Sequence, residues 1–184
     1  MKKFLRVFVT VLALFALCGN VFASPSDPTE QEALDAWQQA YKVFNLFDMH
    51  PLPTDGRGKK QVGYMIYYNV SDPNIKTMSA LRSKMNTVFT SELTNRILTT
   101  SRTYIDNGGY LYVAPAGRGT NIYAGKTTFK VIKEAPDKMT IQTITEILED
   151  PRHNKMNVIK YDTKDFTYVK TLSGWRFANF TRIK

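Results

Sequence analysis

Residues 127–148 read TTFKVIKEAPDKMTIQTITEIL, two runs rich in β-branched side chains around the turn Ala135-Pro136-Asp137-Lys138. Val131 and Ile132 on one arm, and Thr143, Thr145 and Ile147 on the other, suit a pleated and half-buried surface. The stretch therefore predicts a β-hairpin with long arms. Downstream, Glu149 to Lys155 is the next turn, Met156 to Tyr161 and Phe166 to Lys170 continue the meander, and Ser173-Gly174 turns into a last strand from Trp175 to Ile183. Upstream, Tyr104-Ile105 and Tyr110 to Val113 flank Asp106-Asn107-Gly108-Gly109, a hairpin turn signal. No helical pattern returns after Tyr104.

The first half reads differently. Asp27-Pro28-Thr29-Glu30 is a helix start with Asp27 as cap and Pro28 in the first turn. Leu34, Trp37, Tyr41 and Phe44 then recur at helical spacing, so a helix to about Phe47 with one aromatic face is expected. Pro51, Pro53, Gly56 and Gly58 break the chain before one strand over Val62 to Val70. Met78, Leu81, Met85 and Phe89 mark a short helix, and Thr90-Ser91-Glu92-Leu93 restarts the signal in a second one. Helices first and antiparallel strands afterwards predict an α+β domain, with the N-terminal helices on one face of a curved antiparallel meander.

Ahead of that domain, Lys2, Lys3 and Arg6 precede an apolar run from Val7 to Leu17, and Val21 and Ala23 are small residues at the positions a signal peptidase reads. Residues 1–23 are thus expected to be a cleaved leader and residues 24–184 a single domain outside the cytoplasm, whether secreted, periplasmic or in the wall. The eleven-residue run is too short to span a bilayer. Cys18 opens a lipoprotein alternative, which Phe15-Ala16-Leu17 disfavours because that peptidase wants a small residue before the cysteine. Without the leader no cysteine remains, which removes disulfides, thiol nucleophiles and thiolate metal sites. The remaining 22 basic and 16 acidic residues leave a net +6. Such a balance suits acidic partners, but no basic run exceeds two residues, so a solvated surface and no nucleic-acid partner are expected.

His50 and His153 lack a partner at ligand spacing, and no metal or other cofactor is expected. No serine sits in a nucleophile elbow. Glu146, Glu149 and Asp150 are the densest acidic cluster; two carboxylates close together suit general acid and base chemistry, but their place at a strand end and turn favours simple solubility. In the loop Gly117-Arg118-Gly119-Thr120-Asn121, two glycines around one arginine allow a close backbone approach, so it is either a recognition loop or a plain turn. No enzyme is expected from this inventory.

The run from Tyr104 to Asn121, with Gly125 and Gly174-Trp175-Arg176-Phe177, resembles the IseA-type DL-endopeptidase inhibitors. The likeness takes in Leu52 to Gly56 and Phe89 to Leu93, and so covers most of residues 30–180. Members of that family are secreted proteins that bind NlpC-type cysteine peptidases and restrain cleavage of peptidoglycan stem peptides. The resemblance implies inhibition of a cell-wall cysteine endopeptidase at its catalytic cleft, with peptidoglycan nearby. Gly117, Arg118, Gly119, Thr120 and Asn121 are then the candidate contacts, joined by Glu149 and Asp150. Gly117 stands where an aspartate is expected before Arg118-Gly119. The element order is also similar to nuclear transport factor two-like domains, which enclose a pocket between helices and sheet. That implies the alternative of a secreted, non-enzymatic module holding a small ligand or wall fragment against Trp37, Tyr41 and Phe44.

Overall fold

A computed structural model describes residues 26–115 and 117–183; the expected leader lies outside the described residues. Among the described residues three α-helices, α1 (Glu30–Asn45), α2 (Met78–Asn86) and α3 (Ser91–Thr100), accompany eight strands. One antiparallel sheet contains β1 (Lys60–Val62), β2 (Met65–Asn69), β3 (Tyr104–Asn107) and β4 (Tyr110–Val113) in the order β1-β2-β4-β3. The other is the meander β5 (Ala124–Ala135), β6 (Lys138–Asp150), β7 (Lys155–Thr171) and β8 (Gly174–Phe177). The fold is α+β, as the order of patterns predicts, with two sheets where one was expected.

Helix α1 starts one signal later than its sequence suggests. Thr29 is the cap: its hydroxyl accepts from the Glu32 amide at 3.3 Å, and the Glu32 carboxylate accepts from the Thr29 amide at 2.7 Å. Asp27 is released to pair with Lys133 at 2.7 Å and Lys170 at 3.5 Å, which ties the chain before α1 to β5 and β7. Ala33, Trp37 and Ala40 are buried on one stripe of α1. The Trp37 ring stacks on Tyr41 with centroids 5.2 Å apart and meets Phe129 of β5 and Phe166 of β7 edge-on at 4.8 and 5.6 Å.

Three boundaries differ from the reading. Residues 62–70 are not one strand: Gly63, at φ 60°, turns the chain between β1 and β2, a backbone state that glycine adopts without strain. Strand β7 is unbroken through Asp162–Asp165 because it pairs with β6 along almost its whole length. Strand β8 ends at Phe177 rather than Ile183, because the following residues leave the sheet to insert Phe180 into the core. Its ring lies 4.7 to 6.0 Å from Trp37, Phe44, Phe89, Phe166 and Phe177. Asn179 supports this exit by accepting from the Thr167 amide.

Strand β8 also anchors the helical pair. Thr90 donates its amide to Phe177 at 2.9 Å and Phe177 donates to Val88 at 2.9 Å, so the α2–α3 corner hangs on the last strand. Tyr104 performs the same service for the smaller sheet. Its buried hydroxyl donates to the Leu46 carbonyl at 2.9 Å and accepts from the Leu52 amide at 2.8 Å, and burial pushes the phenol far above its usual pKa.

Candidate functional site

The segment after α1 bends back on itself, with the amides of Met49 and His50 both reaching the Asn45 carbonyl at 3.1 and 2.8 Å. This bend buries the Asp48 carboxylate, whose side chain is 4 % exposed. A buried carboxylate requires cationic or hydrogen-bonding partners, and Asp48 has two arginines. Arg118 Nε lies 2.9 and 2.8 Å from its two oxygens, and Arg182 Nη2 lies 2.8 Å from Oδ1. Arg118 also donates to the Gly119 carbonyl and, through Nη2, to the Ile183 carbonyl, both at 3.2 Å, while its own amide donates to the Asp48 carbonyl at 3.1 Å.

The Arg118 fork is therefore occupied inside the protein. Arg118, expected as an anchor for a partner's carboxylate, is committed here to holding the loop, with a quarter of its side chain still exposed. Gly117 has a structural cause as well. A Cβ there would sit 2.4 Å from the Met49 carbonyl oxygen, so no side chain fits unless the backbone moves. That explains why an aspartate does not stand at this position.

The remaining loop residues face outward. Gly119 and Thr120 are exposed, and nothing lies within 4 Å of where a Gly119 Cβ would be. Asn121 closes the loop, its side-chain oxygen accepting from the Tyr123 amide and its carbonyl from the Ala124 amide, each at 3.1 Å. The Tyr123 carbonyl then accepts from Leu148 at 2.8 Å, and the Arg152 guanidinium sits 5.8 Å from the Tyr123 ring centroid. These contacts bring the loop beside the β6–β7 turn, so two segments thirty residues apart in the reading share one end of the molecule.

Within that turn the acidic candidates are already engaged. Glu149 accepts from Lys155 and Asn157, both at 3.2 Å, and Asp150 meets His153 Nδ1 at 2.6 Å. The surface they leave is more apolar than acidic. Ile122, Met156, Val158, Ile159 and Tyr161 are exposed around it, a feature that sequence reasoning missed because such residues read as strand core.

The residues expected to line a pocket between helix and sheet make ring contacts with the core. Trp37 packs against Tyr41, Phe129, Phe166 and Phe180, and Phe44 against Phe180, and none of the three candidates lines the two clefts beside α1. Glu146, the third member of the acidic cluster, accepts from the Lys126 amide at 3.1 Å across from Gly125. Among the described residues no three histidine, cysteine or acidic side chains gather as a metal site, and no helix is long and apolar enough to cross a membrane. No family model matches the chain, and no curated protein matches it.

Proposed function

We propose that this protein is a secreted, non-catalytic binding protein that restrains a cell-wall cysteine endopeptidase of the NlpC type by covering its catalytic cleft. The observation that carries the reading is the loop 117–123, held in place by Asp48 and exposed at its tip, next to an exposed apolar strand end. A loop that is already ordered loses little conformational freedom on docking, and that preorganisation raises affinity without new contacts. Gly119 and Thr120 present little side-chain bulk, which lets backbone approach backbone in a narrow cleft. Ile122 and Met156 supply apolar area beside it.

The reading joins this geometry to the sequence resemblance, with Arg118 moved from contact to support. Stem-peptide hydrolysis by a purified NlpC-type peptidase, titrated with the protein, tests it. Saturable inhibition is expected, and Gly119→Trp at the loop tip should weaken it by tenfold or more, on the order of 1.4 kcal/mol. Absence of inhibition by the parent protein rejects the reading.

A further inference from the structure

Of the 22 basic and 16 acidic residues that follow Ala23, eight and two lie in residues 56–103, and the other regions hold fourteen of each. The net +6 thus belongs to one segment, which runs from the β1–β2 hairpin through α2 and α3. The exposed apolar surface of that segment is concentrated at the hairpin tip. Gly63 and Tyr64 are the two-residue turn between Val62 and Met65. Tyr64 is 83 % exposed, Val62 49 % and Ile66 38 %. An exposed apolar cluster beside polar residues marks a place of contact.

Cations surround this tip. Lys59 and Lys60 lead into it on β1, both exposed and without an ion pair among the described residues. Arg102, just after α3, reaches it from the side: its Nη1 donates to the Tyr64 hydroxyl at 3.2 Å. Tyr67 donates its own hydroxyl to the Arg102 carbonyl at 2.8 Å, which fastens the hairpin to the end of α3. Arg57, further back, is answered by Asp55 at 3.5 Å. Between Arg57 and Ser71 the sequence has no carboxylate. The β3–β4 hairpin of the same sheet differs, because Asp106 sits in its turn and accepts from the Gly109 amide at 3.2 Å.

We propose that the β1–β2 hairpin docks the protein on an anionic lipid surface, with Val62 to Ile66 entering the interfacial layer and Lys59, Lys60 and Arg102 meeting the headgroup phosphates. Strand pairing favours lipid over a protein partner. Val62 stands opposite Met65 and Gln61 opposite Ile66, so Val62 and Ile66 lie on opposite faces of the ribbon. A protein partner covers one face of a hairpin, whereas lipid surrounds a tip that enters it. A second copy would set like charges against each other. Tyr64 has the amphipathic ring that suits headgroup level, an apolar body with its hydroxyl held by Arg102. Lys60 precedes Gly63 by three residues, roughly 10 Å along the strand. A tip buried by about 5–10 Å therefore leaves its ammonium among the phosphates. The site uses none of residues 117–123 and stands independently of the inhibitor reading.

Flotation of the protein, expressed with its own leader, on vesicles of phosphatidylcholine alone and of phosphatidylcholine mixed equally with phosphatidylglycerol tests the assignment. Binding to the anionic vesicles alone, weakened by salt, is expected. Lys59→Gln/Lys60→Gln should weaken it roughly twentyfold, since each basic residue near such a surface is worth about fivefold. Tyr64→Ser should weaken it about tenfold through lost apolar burial. Lys126→Gln/Lys130→Gln removes the same charge from β5 and should leave binding close to the parent's. All five positions are exposed, so thermal melts of the variants should coincide with the parent's and separate lost binding from lost folding. In Tyr64→Trp, the emission of the added indole should shift to the blue on anionic vesicles. No binding to those vesicles, an equal loss in the β5 variant, or an unshifted indole would overturn the docking site. Soluble polyphosphate bound as tightly as the vesicles, with Tyr64→Ser unimpaired, would overturn the lipid class and assign the cations to a water-soluble polyanion.

Discussion

Strand β7 is two environments on one backbone. At its root Phe166 and Tyr168 are 0 % and 7 % exposed, beneath α1 and the inserted Phe180. Toward its tip Met156, Ile159 and Tyr161 are 58 %, 58 % and 64 % exposed, although the composition hardly changes. The cause is what lies across and beside the strand. Strand β8 pairs β7 only from Tyr168 to Thr171, and the residues after it bond on to Thr167 and Asp165. Among the described residues, therefore, no strand pairs with this edge of β7 from Lys155 to Lys164, and the helical element beside the tip is the single 3-10 turn Pro151–His153. Ile159 adds to this: β6 passes from pairing Lys160 to pairing Val158, which leaves Ile159 as a β-bulge with no residue opposite. An exposed apolar edge is a liability unless something docks on it. The root therefore serves stability, and the tip is free to serve contact.

The sharpest way to break this contrast is to remove the root's side chains. Phe166→Ala should lower the unfolding free energy by about 3–5 kcal/mol, through lost burial and the cavity left among Trp37 and Phe180. Trp37→Ala should match it, since its ring touches both. Urea denaturation measures both, and losses under about 1 kcal/mol would mean the root is no better covered than the tip.

The loop support comes next in size. Asp48→Ala leaves Arg118 and Arg182 without their shared acceptor, yet both guanidinium groups keep access to water, with side chains 25 % and 61 % exposed. The expected cost is about 1–2 kcal/mol, below that of a fully buried pair. Arg118→Ala should cost a similar amount, and the double variant less than the two together, because the residues share one interaction. If the inhibitor reading holds, both single variants also lose inhibition without touching the partner. Strict additivity in the cycle would show that the loop is held by its backbone alone.

How legible this was differs by region for physical reasons. The hairpins, the helix restart at Thr90 and the burial of Trp37 and Trp175 follow from local signals, since turn glycines, caps and helical spacing act within a few residues. The second sheet did not follow, because β2 pairs with β4 across two helices and nothing local in Met65–Asn69 encodes that partner. The early end of β8 depends on Phe180 finding five aromatic neighbours. Arg118 illustrates the same limit at the site: its glycine-flanked setting reads as open, and only the fold brings Asp48, seventy residues earlier, beneath it.

A smaller effect is expected from acid. The Lys133 hydrogen bond holds Asp27 below its usual 3.8, Lys138 and Thr140 hold Glu134 below 4.5, and the Thr29 amide does the same for Glu32. A carboxylate whose pKa is depressed on folding adds stability above its unfolded value and loses it as pH falls through the folded one. Melting temperature should therefore hold steady down to about pH 5 and decline below about pH 4. Lys133→Ala should flatten part of that decline. These groups lie at the surface, so added salt should shrink the effect. A decline beginning near pH 6 would point to histidine instead.

The least effect on stability should come from the tip, and that small number is what makes it informative. Ile159→Lys places a charge where the side chain is already 58 % in solvent and where the bulge leaves no cross-strand neighbour to disturb. Surface changes of this kind stay within about 0.5 kcal/mol. A larger loss would mean that the tip is packed in solution, against another copy or another segment, and the division of β7 into root and tip would fail. If stability is unchanged, any effect on peptidase inhibition belongs to contact alone. A tip that borders the partner should then show weaker inhibition with Ile159→Lys and Met156→Lys, because burying an unpaired ammonium at an interface core is unfavourable. Unchanged inhibition in both would confine the contact to residues 117–123 and leave the apolar edge to a different partner.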